Sequence, residues 1–258
     1  MDAPSLRGAR SGAGRGGPAS DELGGVQGSP PSIEDLEREL KFVLPAGRAE
    51  AARAFLATIC TADSGYPRAM VWTVYYDTPD GRSLGEKIDS DYLKMKLRVR
   101  WYGDERDRPS GPVFVEAKYR VGSRREKVRA RLDLEAGDVA ALSLDDARFA
   151  RFPRALAPAG VLAGPEWRPV LRLRYERWRF IERFTRTRVS LDRGIVAEAV
   201  NSRRLTSLNP GPLPVAVLEV KGSEDTLPRL LTPLLHLGAI QGSLSKYAAV
   251  YDHVRRLS

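Results

Sequence analysis

Lys94-Met95-Lys96-Leu97-Arg98-Val99-Arg100-Trp101 alternates a cation with an apolar or aromatic side chain without a break. A β-strand sends successive side chains to opposite faces. The stretch therefore predicts a strand with Lys94, Lys96, Arg98 and Arg100 on one face and Met95, Leu97, Val99 and Trp101 on the other. The split recurs nearby. Arg125, Lys127, Arg129 and Arg131 oppose Val128, Ala130 and Leu132, while Glu116, Lys118 and Arg120 oppose Val113, Val115 and Tyr119. Arg172 and Arg174 share a face, as do Arg186 and Arg188, and Glu219 and Lys221 alternate with Leu218 and Val220. A half-buried antiparallel strand normally turns a polar face to water. That face usually mixes Thr, Ser, Glu and Lys, whereas here nearly every polar position is a cation. Two like charges about 5 Å apart on neighbouring strands repel by roughly 3 kcal/mol at an effective dielectric near 20. Like charges set opposite one another also destabilise a sheet. These faces require an anion.

Three kinds of anion could supply that charge. Duplex nucleic acid needs a convex or grooved basic surface read by helices or aromatics, but Trp101 and Tyr119 lie opposite the cations. Lipid headgroups favour a basic amphipathic helix, not strands. A sheet curled into a barrel places one face of every strand inside. With the cationic face inward, the lumen becomes a basic tunnel that suits a triphosphate or a linear polyphosphate. Arginine offers forked contacts to phosphate oxygens and lysine a compact charge.

Composition agrees with a polyanionic partner. The chain has 258 residues, a formal net charge of +9 and an apolar fraction of 42%, enough for a globular core. One cysteine, Cys60, excludes an intrachain disulfide and suits a reducing, cytoplasmic setting. Two histidines, His236 and His253, have no partners at zinc-site spacing. No apolar run approaches the ~20 residues of a membrane span, and the arginines near the N-terminus precede no signal-peptide core.

Residues 1–31, rich in Gly, Ser, Ala, Pro and Arg, read as a disordered basic tail ahead of one domain over 32–258. Strands are predicted at 39–44, 70–77, 93–102, 112–120, 124–132, 168–180, 186–192 and 214–221. Helices are predicted at 47–60, 144–152, 227–236 and 243–256. Many strands without βαβ alternation give an α+β fold: an antiparallel β-barrel with flanking helices and a C-terminal closing helix. Carboxylates punctuate the basic faces at Glu37, Glu39, Glu116 and Glu219. Carboxylates beside phosphate commonly hold Mg2+ or Mn2+; each could equally pair with a neighbouring arginine.

Taken in order, these segments resemble the VTC domain, the polyphosphate polymerase branch of the triphosphate tunnel metalloenzymes. Glu37-Arg38-Glu39-Leu40-Lys41-Phe42 is similar to the Glu-x-Glu-x-Lys opening strand of that superfamily. Tyr75-Tyr76-Asp77-Thr78-Pro79-Asp80 and the segment from Lys96 to Asp104 resemble VTC strands. So do Val113 to Lys118, Tyr175 to Phe180, Arg188 to Asp192, Val217 to Lys221 and Ser243 to Tyr247. The matches run from about 37 to 250, nearly the whole chain outside the tail.

The resemblance implies roles. Lys41, Arg98, Arg100 and Lys246 would act at the reacting phosphates. Lys118, Arg177, Arg188, Ser245 and Lys221 would bind the phosphate chain, with Lys127 and Arg129 added by strand parity. Glu219 would hold a divalent metal, Mn2+ or Mg2+, joined by Glu39, Glu37 and Glu116. The implied reaction transfers the γ-phosphoryl group of a nucleoside triphosphate, ATP by expectation, to a growing polyphosphate chain. Eukaryotic members have a degraded Glu-x-Glu-x-Lys motif, and retention of both glutamates here favours a triphosphatase as the alternative. A binding module without catalysis is the third reading. Nucleic acid is not an expected partner, and any membrane or regulatory partner would be a separate protein.

Overall fold

A computed structural model describes residues 38–85, 93–121, 124–205 and 211–256. The 1–31 tail and Glu37 lie outside the described residues, as do the side chains of Lys94, Arg120 and Arg125. The elements in chain order are β1 (Arg38–Pro45), α1 (Ala49–Ile59), β2 (Cys60–Ala62), β3 (Arg68–Asp77), α2 (Arg82–Gly85) and β4 (Leu93–Gly103). Next come β5 (Pro109–Val121), β6 (Arg124–Glu135), α3 (Ala136–Ala141), α4 (Ala147–Arg151) and β7 (Arg168–Glu182). Then follow β8 (Arg188–Val200), β9 (Val215–Gly222), β10 (Ile240–Gln241) and α5 (Lys246–Arg255).

All the predicted strands form. β8 departs most from expectation, continuing from Asp192 to Val200. Gly194, just past the expected end, takes a φ of 59°, and the ladder with β7 shifts register there. A glycine tolerates that φ without a side-chain penalty, so the strand bends and goes on. The helix expected at 227–236 is instead a 3-10 helix over Arg229–Leu237. Pro233 sits inside it and lacks the N–H that an α-helix would need there. A second 3-10 helix, Phe152–Ala159, carries Pro153 and Pro158 for the same reason.

Every strand pairing is antiparallel, in the order β10-β1-β9-β8-β7-β3-β4-β5-β6, with β2 added on β7. Backbone hydrogen bonds do not close this ladder into a barrel among the described residues. It curls strongly all the same. Lys118 Nζ on β5 lies 3.6 Å from Glu39 on β1, although β9, β8, β7, β3 and β4 separate those strands in the sheet.

Three apolar clusters fix this curvature. On the outer face of β3 to β6, Trp72, Leu97, Val99, Trp101, Val113 and Val115 pack beneath α3, α4 and the 152–159 helix. The outer face of β1, β7, β8 and β9 packs Phe42, Trp178, Leu191 and Leu218 under α1 and the 229–237 helix. The third cluster is internal: Tyr75, Leu171, Leu173, Ile195 and Val217 meet Tyr247, Val250 and Val254 of α5. Strand parity puts Val217 on the same face as Glu219, and Tyr175 on the same face as Arg177. Helix α5 thus covers one stretch of the face that carries the cations.

Candidate functional site

The alternation in β4 works as its sequence requires. Leu97, Val99 and Trp101 are fully buried outward, which turns Arg98 and Arg100 to the concave side. Neighbouring strands deliver their own inward side chains there, and the cations gather around carboxylates in three groups.

The first group centres on Glu39 of β1. Lys41 lies 3.0 Å from its carboxylate, Lys118 3.6 Å and Lys221 3.8 Å. Burial pushes the Glu39 pKa up, but Lys41 and Lys221 outweigh it and hold the group at about 2. Lys118 moves the other way: burial lowers it, and Lys41 and Lys221 oppose the attraction of Glu39.

The second group surrounds Glu116 of β5, which is almost wholly buried. Arg98 Nε donates to it at 2.7 Å and Arg129 Nε at 2.7 Å, with Lys127 at 3.4 Å and Arg100 at 3.9 Å. Burial would raise this carboxyl, yet Arg98 and Arg100 hold it well below the usual range. Arg100 is further fixed by donating to Thr73 Oγ1 and to the Tyr175 hydroxyl, both at 3.1 Å. Arg129 stacks over Phe114, 4.5 Å from the ring centre.

The third group joins α5 to β7, β8 and β9. Arg177 donates to both oxygens of Asp192, at 2.6 and 2.7 Å, and to Glu219 at 3.3 Å. Lys246 Nζ lies 2.7 Å from Asp192 and 2.8 Å from Glu219. Burial alone would lower the Lys246 pKa, but Asp192 and Glu219 raise it, so the amine stays charged. Burial likewise raises Glu219, and Lys246 and Arg177 bring it far below its ordinary value.

These depressed carboxyls set a pH dependence. Each binds its proton more weakly when folded than when unfolded, so the stability they confer is complete above about pH 4.5. It is lost as pH falls toward the folded value of about 2 at Glu39. Denaturant titrations should give a flat midpoint from pH 7 to 5 and a steep fall between pH 4.5 and 2. A midpoint insensitive to that window would contradict the ion pairing described.

Most of the sequence-derived residues come together here: Lys41, Lys118, Lys221, Arg98, Arg100, Lys127, Arg129, Arg177, Lys246, Glu39, Glu116 and Glu219. Arg188 stands opposite Lys221 in the β8–β9 register, on the same face as Asp192. The Ser245 hydroxyl caps α5, accepting from Ala248 N at 3.5 Å. Arg172 departs from the cationic face. It points outward, donating to the carbonyls of Ala140 and Leu142 near the end of α3 and lying 3.3 Å from Glu198. Sequence reasoning gave no role to Asp192, Tyr75 or Tyr175. Asp192 has the strand parity of Arg188, which was the signal available. Tyr75 and Tyr175 looked like ordinary strand aromatics. Burial raises the Tyr75 phenol, yet Arg98, Arg100 and Lys246 pull it below its usual value.

Could these residues take a divalent cation? Among the described residues, no three His, Cys, Asp or Glu side chains gather as a metal-ligating group. Glu39 and Glu219 nevertheless lie diagonally across β1 and β9, because Glu219 faces Lys41 and Lys221 faces Glu39 in the ladder. Long side chains reach across such a diagonal. Two carboxylates completed by phosphate oxygens and water make an oxygen donor set suited to Mg2+ or Mn2+. Glu116 fits less well: arginines donate to each of its oxygens at 2.7 Å and its side chain is 2% exposed, against 12% for Glu219 and 18% for Glu39.

The family profile described as the VTC domain matches residues 36–254. No curated protein sequence matches the chain significantly. Among solved structures, a Hippeastrum protein named for adenylyl cyclase and described as having a dominant triphosphatase activity is 16% identical. The alignment covers 84% of this chain and 95% of that one, with a TM-score of 0.49. A Bacillus halodurans protein named for adenylate cyclase is 15% identical over 82% of this chain and 93% of its own, with a TM-score of 0.48. One from Vibrio parahaemolyticus, likewise named, is 14% identical over 83% and 96%, with a TM-score of 0.42.

Proposed function

The chain belongs to the VTC domain family, and from that premise we propose that it is a metal-dependent phosphotransferase that lengthens polyphosphate from a nucleoside triphosphate. The observation that carries this reading is the excess of cations over carboxylates on one concave face. Arg98, Arg100, Lys127 and Arg129 share the single carboxylate of Glu116, and Lys41, Lys118 and Lys221 share that of Glu39. A string of phosphates supplies the missing negative charge.

In the proposed reaction a terminal oxygen of the chain attacks the γ-phosphorus in line. The bond from that phosphorus to the β,γ-bridging oxygen breaks, and nucleoside diphosphate leaves with the electron pair. Such a transfer needs positioning and charge neutralisation more than a protein nucleophile. Arg98 and Arg100 would bring positive charge to the equatorial oxygens. Lys246, kept protonated by Asp192 and Glu219, brings fixed positive charge to the leaving phosphate. Glu39 and Glu219 would hold Mn2+ or Mg2+, which supplies Lewis-acid neutralisation of phosphate oxygens. Lys118, Lys221, Arg177, Arg188, Lys127 and Arg129 would guide the chain, and Glu116 anchors the arginines.

Glu39 also favours a second reading, hydrolysis of inorganic triphosphate on the same face, since it keeps the carboxylate of the Glu-x-Glu-x-Lys motif inward. Incubation with ATP and Mn2+, followed by polyphosphate staining of a gel and nucleotide chromatography, separates the readings. Long chains together with ADP are expected. Orthophosphate without chains would favour the hydrolase, and tight binding without turnover a module that only binds.

A further inference from the structure

We propose that Asp192 is a positioning residue, the fixed counter-ion that retains Lys246 and Arg177 when Glu219 turns to a divalent cation. The inference rests on the reading of Glu219 as a metal ligand and adds to it how the site exchanges partners.

Asp192 and Glu219 share the same two cations but are held differently. Asp192 has no exposure to solvent and stands directly opposite Arg177 in the β7–β8 register. Its short side chain accepts three short contacts: Arg177 Nε at 2.6 Å, Arg177 Nη2 at 2.7 Å and Lys246 Nζ at 2.7 Å. Glu219 has one more rotatable bond. Its contact to Lys246 is 2.8 Å and its contact to Arg177 is 3.3 Å. That longer bond comes from Arg177 Nη2, which is already directed at Asp192 Oδ2. Glu219 is therefore the more loosely held carboxylate. It is also the one that lies diagonal to Glu39 across β1 and β9.

Charge makes the consequence definite. Two cations and two carboxylates leave the cluster neutral. Once Glu219 binds a metal with Glu39, Lys246 and Arg177 share Asp192 alone and carry excess positive charge toward the phosphates. Without Asp192, the same cations would have only Glu219 and would compete with the metal for it. Opposite effects follow from removing the counter-ion and removing a competing cation. Charges coupled in one network commonly shift one another's ligand affinity by a few-fold to about a hundredfold, which sets the size of the effect.

Calorimetric titration of the full chain with Mn2+ alone tests this, with circular dichroism to verify folding. Asp192→Asn should weaken Mn2+ binding about tenfold. Lys246→Met should strengthen it, and Asp192→Asn combined with Lys246→Met should restore affinity close to that of the parent chain. If Asp192 were itself a metal ligand, the double variant would stay as weak as Asp192→Asn, and the proposal would be wrong. Should Asp192→Asn fail to fold, Lys246→Met alone decides: unchanged or weaker Mn2+ binding overturns the inference. A parent chain that binds no Mn2+ would instead remove the metal reading of Glu39 and Glu219, on which the inference depends.

Discussion

Glu116→Ala should destabilise the fold by about 3 kcal/mol, the lower end of what breaking a buried ion network costs, and tripolyphosphate should recover much of the loss. The reason lies in what remains. Arg98, Arg100, Lys127 and Arg129 converge on this carboxylate. Removing it leaves four cations facing one another with no charge between them. Lys127 and Arg129 are partly open to water, with side-chain exposures of 51% and 39%, so screening holds the penalty to the lower end. The same change makes the concave face more positive. A polyanion that binds only the folded chain stabilises it by mass action, so the thermal shift with saturating tripolyphosphate should be larger in the variant than in the parent chain. Urea midpoints and thermal melts with and without tripolyphosphate check both halves. Equal stability of the two chains, or a smaller shift in the variant, would show that Glu116 does not hold these cations against their own repulsion.

The second large effect is on turnover. Arg98→Ala should lower metal-dependent turnover about 100- to 1,000-fold, the usual cost of removing one charge-stabilising donor, while leaving the chain folded. Glu116 would keep Arg100, Lys127 and Arg129 as partners, so no buried charge is stranded. Lys246→Ala is a poorer test of chemistry. It would leave Asp192 and Glu219 with Arg177 as their shared cation and so alter metal affinity together with turnover. Arg98→Lys should recover only part of the activity, because an ammonium lacks the planar fork of a guanidinium. Full activity of Arg98→Ala would take this residue out of the reaction site.

The sequence carried the strands and their faces because period-two alternation is a local property. Residues 94–101 state both the strand and its inward side, and the outward burial of Leu97, Val99 and Trp101 follows from the same letters. What it could not state was how the strands meet. Glu39 contacts Lys118 only because the sheet curls until β1 and β5 approach, and no local pattern encodes that closure distance. Asp192 went unassigned because its place at the end of the predicted strand shows neither the pairing with β7 nor the helix α5 that bring it two cations. Arg172 misled for the complementary reason. Its parity is opposite to that of Arg177, so it turns outward together with Arg174, and carbonyls at the end of α3 accept from it there. Pro233 gave fair warning that the 229–237 helix would not be α-helical.

The most direct measurement is calorimetric titration of tripolyphosphate into the parent chain, Arg98→Ala and Arg154→Ala, the last removing an exposed arginine of the outer 152–159 helix. Saturable binding at a single site is expected, weakened at least tenfold by Arg98→Ala and left unchanged by Arg154→Ala. Absence of binding at millimolar tripolyphosphate, or an equal loss from both substitutions, would contradict a phosphate site on the concave face.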